Sequence, residues 1–156
     1  MEINIQKFTD RDFDRVLVLW RISRELSSNG AENARKHSLY EDIQYLRNEI
    51  LAHNDLWLAE TKEEGLVAFM AMNTDFIDSL YVHPDHFHKG IGQQMLAWAL
   101  KCSPNRIWLN TLRDNTRARA FYEKFGFRLI AEGENPEGWP DVTYEFIPRE
   151  VGSKNE

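Results

Sequence analysis

Cysteine is nearly absent from this chain of 156 residues, which contains only Cys102. A single cysteine excludes an internal disulfide and favours a reducing compartment. The sequence also lacks an uninterrupted apolar segment of the length that spans a bilayer. Its first residues, Met1 to Ile5, lack the basic start and the apolar core of a signal peptide. We therefore expect a cytoplasmic protein with no membrane partner, and we interpret Cys102 as a small residue at a helix end.

The sequence has fewer basic than acidic residues. It contains 19 lysines and arginines and 25 aspartates and glutamates, which give a formal net charge of −6 at pH 7. A nucleic-acid surface needs clustered positive charge to displace counterions, so the composition argues against a nucleic-acid partner. An acidic protein attracts cationic amines, but so modest a charge identifies no substrate.

Linkers are also missing, since no repeat, low-complexity block or stretch rich in Pro, Gly and Ser interrupts the chain. A chain of this length is the size of one domain with a substantial core. We predict a single domain over residues 1–148, and we expect the charged tail at 149–156 to be disordered.

Patterns of strand and helix alternate along the rest of the sequence. Alternating or continuous apolar runs predict seven strands, at residues 3–8, 56–60, 66–72, 76–82, 106–111, 127–132 and 142–146. Helical spacing and capping signals predict helices after Phe13, after the capping box that begins at Ser38, at 91–101 and after Asn115. Strand, helix and strand between 76 and 111 predict a parallel pair. The predicted fold class is α+β, a mixed, mostly antiparallel sheet flanked by about four helices.

The segment from His86 to Leu96 is the most informative in the sequence. Gly90 and Gly92 lie between a strand pattern and a helix pattern, where unpaired N–H groups of a first helical turn can bind an anion. We interpret the segment as a phosphate-binding loop that uses main-chain donors with Lys89 and His88. An ordinary strand-to-helix turn is the alternative, because the loop lacks the full spacing of a dinucleotide or nucleoside-triphosphate motif.

A second informative segment follows the predicted strand at 106–111. Asn115 or Thr116 is expected to cap a helix whose apolar face is Ala118, Phe121, Tyr122 and Phe125, and Gly126 is expected to end it.

Together these segments resemble the GCN5-related N-acetyltransferases, the GNAT family. The resemblance rests on Val82-His83-Pro84, on Lys89-Gly90-Ile91-Gly92, and on Asn115 with the run from Ala120 to Phe127, and it covers residues 56–146. It implies a GNAT fold in which the two parallel strands splay apart. It also implies acetyl-CoA as the acetyl donor.

The resemblance assigns roles to particular residues. The pyrophosphate would lie on main-chain amides of the loop and the pantetheine along the strand before it. The cofactor-binding residues so implied are Leu80, Tyr81, Val82, Phe87, His88, Lys89, Gly90, Ile91, Gly92, Gln93 and Asn115. Tyr122 would protonate the leaving thiolate, since a phenol near a thiolate of similar pKa can donate a proton. The alternative for Tyr122 is a core aromatic on the apolar face of its helix.

The sequence departs from the family pattern at two positions. Phe87 replaces a glutamine or arginine of the loop, and Phe76 stands where a glutamate often serves as the general base. Deprotonation of the amine would then fall to Asp78, Asp75 or Glu60, directly or through water. Of these three, we prefer Asp78 as the base. The alternative interpretation of Asp78 is an ordinary solvated carboxylate on a strand with alternating apolar and polar residues.

The implied activity is transfer of an acetyl group to a primary amine of a small molecule or peptide by direct attack. A coenzyme-A-binding or interaction module without chemistry and an acyltransferase for another acyl-CoA are the alternatives. We interpret His83, Asp85, His86 and His88 as turn residues rather than metal ligands. Residues 26–40 and 133–141 are expected to select the acceptor, with a lid over 29–37 and Trp139 at the pocket. The acceptor and the oligomeric state stay open, and a homodimer is one option.

Overall fold

The computed structural model describes residues 2–27, the last three by their backbone alone, and residues 37–148. The predicted tail at 149–156 lies outside these ranges, as does the predicted lid apart from His37. None of the helices within the described ranges is long and apolar enough to cross a membrane.

Within the described ranges, seven strands and five α-helices follow one another in the order that the sequence predicts. The strands are β1 (Asn4–Lys7), β2 (Asp55–Thr61), β3 (Gly65–Asn73), β4 (Phe76–Val82), β5 (Ile107–Leu112), β6 (Arg128–Glu134) and β7 (Pro140–Phe146). The helices are α1 (Phe13–Ser27), α2 (Leu39–Tyr45), α3 (Leu51–His53), α4 (Ile91–Cys102) and α5 (Thr116–Phe125). A π-helical turn, Leu46–Ile50, joins α2 to α3, so the helical stretches number four.

The strands form one mixed sheet in the order β1-β2-β3-β4-β5-β7-β6. The pairs β1–β2, β2–β3, β5–β7 and β6–β7 are antiparallel. The pair β4–β5 is parallel and aligns Phe76 with Trp108 and Ile77 with Leu109. The predicted fold class is thereby confirmed.

The chain divides into two compact units, and the division falls within both β4 and α4. The first unit comprises Met1–Asn73 and Asp78–Leu96. Its core is a cluster of buried side chains from α1, the π turn, β2 and β3, among them Val16, Trp20, Leu46, Leu58 and Phe69. These are positions at which the apolar periodicity of the sequence predicts burial.

The second unit comprises Thr74–Ile77 and Ala97–Glu156. Within it, contacts between aromatic rings join α5, Phe127 before β6, and β7. Phe127 lies 5.4 Å from Tyr122, 5.8 Å from Phe125 and 5.5 Å from Phe146, measured between ring centroids. Gly126 ends α5 with φ of 123°, the left-handed conformation that the sequence predicts there.

The helical stretch after Ser38 confirms one prediction and corrects another. The Ser38 hydroxyl accepts from the Glu41 N–H at 3.1 Å, and the Glu41 carboxylate accepts from the Ser38 N–H at 2.9 Å, which is the predicted capping box. The helical spacing of Leu39, Ile43, Leu46 and Ile50 predicts one apolar stripe, but Leu39 is 52% exposed. Leu39 lies in the first turn, ahead of the part of the helix that packs on the core.

Candidate active site

The loop between β4 and α4 adopts two left-handed backbone conformations in quick succession. It begins with a 3₁₀ turn, Pro84–His86, which His83 caps by accepting the Asp85 N–H on Nδ1 at 3.1 Å. His88 then has φ of 65° and Gly90 has φ of 80°. Because such φ values are costly for most residues, glycine at position 90 lowers the cost of this backbone.

The first turn of α4 presents main-chain donors. The first helical hydrogen bond among the described residues runs from the Gln94 N–H to the Gly90 carbonyl at 3.1 Å. The N–H groups of Ile91, Gly92 and Gln93 precede that bond, and a first helical turn offers no internal acceptor to them. Together with the helix dipole, they form an arrangement that favours an anion.

Lys89 is held at the loop by a histidine. Its Nζ lies 3.4 Å from Nδ1 of His86, which is 7% exposed. Since a lysine ammonium can only donate, Nδ1 of His86 must be the acceptor, and the ring proton is assigned to Nε2. Nε2 in turn lies 4.0 Å from the Glu64 carboxylate. The contact fixes the ammonium of Lys89 against the 3₁₀ turn of this loop.

The C-terminal half of β4 contributes its backbone, because the side chain of Tyr81 is part of the core of the first unit. The Tyr81 ring lies 5.5 Å from that of Phe69, and the Trp20 indole donates a hydrogen bond to the Tyr81 hydroxyl. Burial raises the pKa of Tyr81 above its ordinary value. A contact between Tyr81 and a cofactor would therefore use main-chain groups.

Asp78, the preferred candidate for the general base, lies on β4. The residue is exposed, and its Oδ2 accepts a hydrogen bond from Asn54 Nδ2 at 3.0 Å. Desolvation raises the pKa of Asp78 above its ordinary value, against the opposing effects of the Asn54 hydrogen bond and the nearby His53. A raised pKa makes a carboxylate a stronger base.

The two other candidate bases are held by cations. In the second unit, Asp75 accepts from Arg106 Nη1 at 3.1 Å and from the Trp108 indole at 3.0 Å. In the first unit, Glu60 pairs with Arg15. Both carboxylates are thus engaged by arginines, whereas the described hydrogen bond to Asp78 comes from a neutral amide.

Phe76, at the position of the missing glutamate, packs its ring 4.4 Å from that of Trp108. Position 76 thus serves packing within the second unit. A functional base must lie elsewhere on the chain.

Asn115 and Tyr122 both lie on α5 of the second unit. Asn115 is the N-cap, and its Oδ1 accepts from the Ala118 N–H at 3.2 Å. This capping hydrogen bond uses the side-chain carbonyl oxygen of Asn115 and does not involve its side-chain NH₂ group. Tyr122 is 8% exposed, and its ring centroid lies 5.2 Å from that of Phe121 and 6.3 Å from that of Tyr144. Tyr122 is thus a buried aromatic of α5, and a catalytic role for it stays a prediction.

Within the described residues no three His, Cys, Asp or Glu side chains are grouped so that they could hold a metal ion. Of the loop histidines, His83 and His86 have the partners described above.

Two comparisons with sequences decide the family. A family model described as "Acetyltransferase (GNAT) domain" matches residues 52–129. Peptidyl-lysine N-acetyltransferase YjaB of Salmonella typhimurium is 30% identical over 134 residues, which cover 86% of this chain and 89% of that protein. The chain belongs to the GNAT family. It is an acyltransferase, as the resemblance implies.

Solved structures of GNAT proteins share the fold of this one. The solution structure of apo-form YjaB from Escherichia coli matches with a TM-score of 0.75 and 21% identity, over 94% of this chain and 98% of the other. The structure of yncA from Salmonella typhimurium, a putative acetyltransferase with its cofactor acetyl-CoA, matches with a TM-score of 0.64 and 15% identity, over 93% of each chain. At these identities the likeness establishes the fold alone.

The GNAT motifs do not identify Asn54, which contacts the candidate base. Asn54 lies between α3 and β2, 24 residues before Asp78 in the sequence. Its only signal in the sequence is an amide side chain at a helix end. Asn54 also lines a cavity of about 610 Å³ in the first unit, together with Phe8, Phe13, Arg47 and Leu51.

Proposed function

We propose that this GNAT protein transfers the acetyl group of acetyl-CoA to the ε-amine of a lysine in a peptide or protein. Support for the acceptor comes from the relative in Salmonella typhimurium, a protein named as a peptidyl-lysine N-acetyltransferase. Support for the donor comes from the structural neighbour that was solved with acetyl-CoA. The single cysteine agrees with action in the cytoplasm.

The observation that carries the proposal is the start of α4. Gly90 has a φ of 80°, and a Cβ added there would meet no atom within 4 Å. The backbone is therefore open on the side where a Cβ would stand. The amides of Ile91, Gly92 and Gln93, with the ammonium of Lys89, supply donors of the kind that bind a pyrophosphate.

In the proposed reaction the neutral lysine nitrogen attacks the thioester carbonyl carbon. A C–N bond forms, the C–S bond breaks, and the electron pair of that bond leaves on sulfur. The proton lost by the nitrogen goes to the Asp78 carboxylate, and the thiolate takes a proton from the Tyr122 hydroxyl. Exchange with solvent returns both side chains to their starting states. Positioning of the two reactants supplies a further share of the rate.

Asp78 favours catalysis over a binding module that does no chemistry. The absence of a glutamate at position 76 is the main reason to consider such a module. The carboxyl of Asp78, whose pKa is raised by partial desolvation, offers a base on the same strand.

Incubation with acetyl-CoA and a panel of amines tests the proposal. The panel contains lysine peptides, the same peptides with acetylated lysine, free lysine and a polyamine. We expect thiol release with the lysine peptides and a mass increase of one acetyl group on the ε-amine. Release with the polyamine alone would refute the acceptor class. No release with any amine from a protein that binds coenzyme A would favour the binding module.

A further inference from the structure

Asn54 joins the end of a helical stretch to the candidate base through one amide group. Its Nδ2 donates to the Ile50 carbonyl at 2.9 Å and to Asp78 Oδ2 at 3.0 Å. A carboxamide nitrogen carries two hydrogens, so these bonds use both donors. With both hydrogens engaged, the amide plane is fixed relative to Ile50 and Asp78.

The Ile50 carbonyl, which anchors the Asn54 amide, belongs to a residue of the core. Ile50 is 2% exposed and belongs to the core of the first unit. It ends the π turn Leu46–Ile50, and the carbonyls at the end of a helical stretch need donors from elsewhere. Asn54, the C-cap of α3 with extended backbone angles, supplies such a donor from its side chain. Its second hydrogen then points to β4.

We propose that Asn54 is a positioning residue, which holds the Asp78 carboxylate in place and in its ionised form for the acceptance of a proton from the amine. The inference rests on the proposed function. The hydrogen bond occupies Oδ2 of Asp78, so Oδ1 is the oxygen to which we assign the proton. A donor directed at a carboxylate stabilises the charged form and thus opposes the effect of desolvation.

Besides the neutral amide of Asn54, two titratable groups among the described residues interact with Asp78, namely His53 and Tyr81. His53 belongs to α3, and a positive charge on it would favour the Asp78 carboxylate. Tyr81, on β4 itself, is partly buried and interacts electrostatically with Asp78. Because Asn54 alone of the three donates a described hydrogen bond to Asp78, its removal is expected to change the orientation as well as the pKa of the carboxyl.

The direct test is a carbon-13 NMR titration of the Asp78 carboxyl in the intact protein, with Asp78→Asn to assign the signal. In Asn54→Ala we expect the pKa of Asp78 to rise by about one unit, since the ionised form loses a charge-assisted hydrogen bond. Asn54→Asp should raise it further, because it places a second carboxylate beside the first. An unchanged Asp78 pKa in both variants would overturn the inference.

Asn48 offers a matched control. It lies on the π turn, and its Nδ2 donates to Gln44 Oε1 at 3.0 Å, a side-chain hydrogen bond that does not involve Asp78. Asn48→Ala should leave the Asp78 pKa where it is in the unmodified protein. A shift as large as in Asn54→Ala would show a general response of the helical stretch and would refute the specific role.

Kinetics separate this inference from the proposed function. With a lysine peptide as acceptor, the acidic limb of the kcat/KM profile should move to higher pH in Asn54→Ala, while affinity for coenzyme A is kept. An Asp78→Asn variant with full kcat/KM would remove Asp78 from the mechanism and the proposal with it. An impaired Asp78→Asn variant beside an Asn54→Ala variant with an unshifted profile would refute only the role of Asn54.

Discussion

The guanidinium of Arg24 and the carboxylate of Asp42 form a two-point hydrogen bond, from Nη1 to Oδ1 at 3.0 Å and from Nη2 to Oδ2 at 2.9 Å. The Asp42 side chain is 2% exposed, and Arg21 Nε lies 3.1 Å from its Oδ2. These bonds join α1 to α2 within the first unit. The same guanidinium lies 4.6 Å from the ring of Trp20, the residue that donates to Tyr81. The ion pair thus supports the core that packs against β4.

Loss of the buried charge should destabilise the protein. Asp42→Asn leaves two guanidiniums without their carboxylate, and breaking a buried pair costs about 3–5 kcal/mol. The free energy of unfolding in urea measures the effect. Asp55→Asn is the matched control, since Asp55 pairs with Lys7 at 3.3 Å where both side chains are at least 60% exposed. That pair should contribute less than about 1 kcal/mol. Equal losses in the two variants would contradict the structural role of Asp42.

Removal of the Tyr122 hydroxyl tests the proton donor. Tyr122→Phe keeps the ring and its contacts with Phe121, Phe127 and Tyr144, so the fold of the second unit should persist. We expect kcat for peptide acetylation to fall by about 100-fold or more, because the thiolate loses its acid. Steady-state kinetics and a binding measurement with coenzyme A check this together. Unchanged kcat would leave Tyr122 as a core aromatic only.

The raised pKa of Asp78 predicts how stability depends on pH. Because the folded state binds this proton more tightly than the unfolded state, the contribution of Asp78 to stability falls as pH rises from its ordinary pKa through the raised one. Above the raised pKa, ionised Asp78 lowers the free energy of unfolding, and this loss of stability persists to neutral pH.

Asp78→Asn removes this titration and keeps an acceptor for Asn54. The variant should be more stable than the unmodified protein at pH 7, and the gain should shrink on acidification below the pKa of the folded state. Thermal unfolding from about pH 3 to about pH 7 measures it. A difference in stability that stays constant across this range would contradict the raised pKa.

Local rules predict the strands, the caps and the glycine loop from the sequence. The strand predicted at 76–82 matches β4, the capping box at Ser38 forms, and Gly126 adopts its left-handed conformation. Each of these depends on residues close together in the chain, where periodicity and capping chemistry decide the outcome.

Partners far apart in the sequence could not be predicted in this way. Arg24 and Asp42 are separated by 18 residues and Asn54 and Asp78 by 24, and no spacing rule relates them. The apolar stripe of Ile43, Leu46 and Ile50 predicts helix but does not show that 46–50 is a π turn. That turn ends at the carbonyl that anchors Asn54, and π-helical turns are too rare for apolar spacing to indicate one.

A calorimetric titration with coenzyme A tests the central claim, that the amides at the start of α4 bind the pyrophosphate. Gly90→Asp places a negative charge at the loop and should raise Kd at least about tenfold. Gly65→Asp is the matched control, because Gly65 has φ of 71° and its Cβ would also meet no atom within 4 Å, so the backbone strain is alike. The account predicts weaker binding in Gly90→Asp and unchanged binding in Gly65→Asp. Full affinity in a folded Gly90→Asp protein would contradict it.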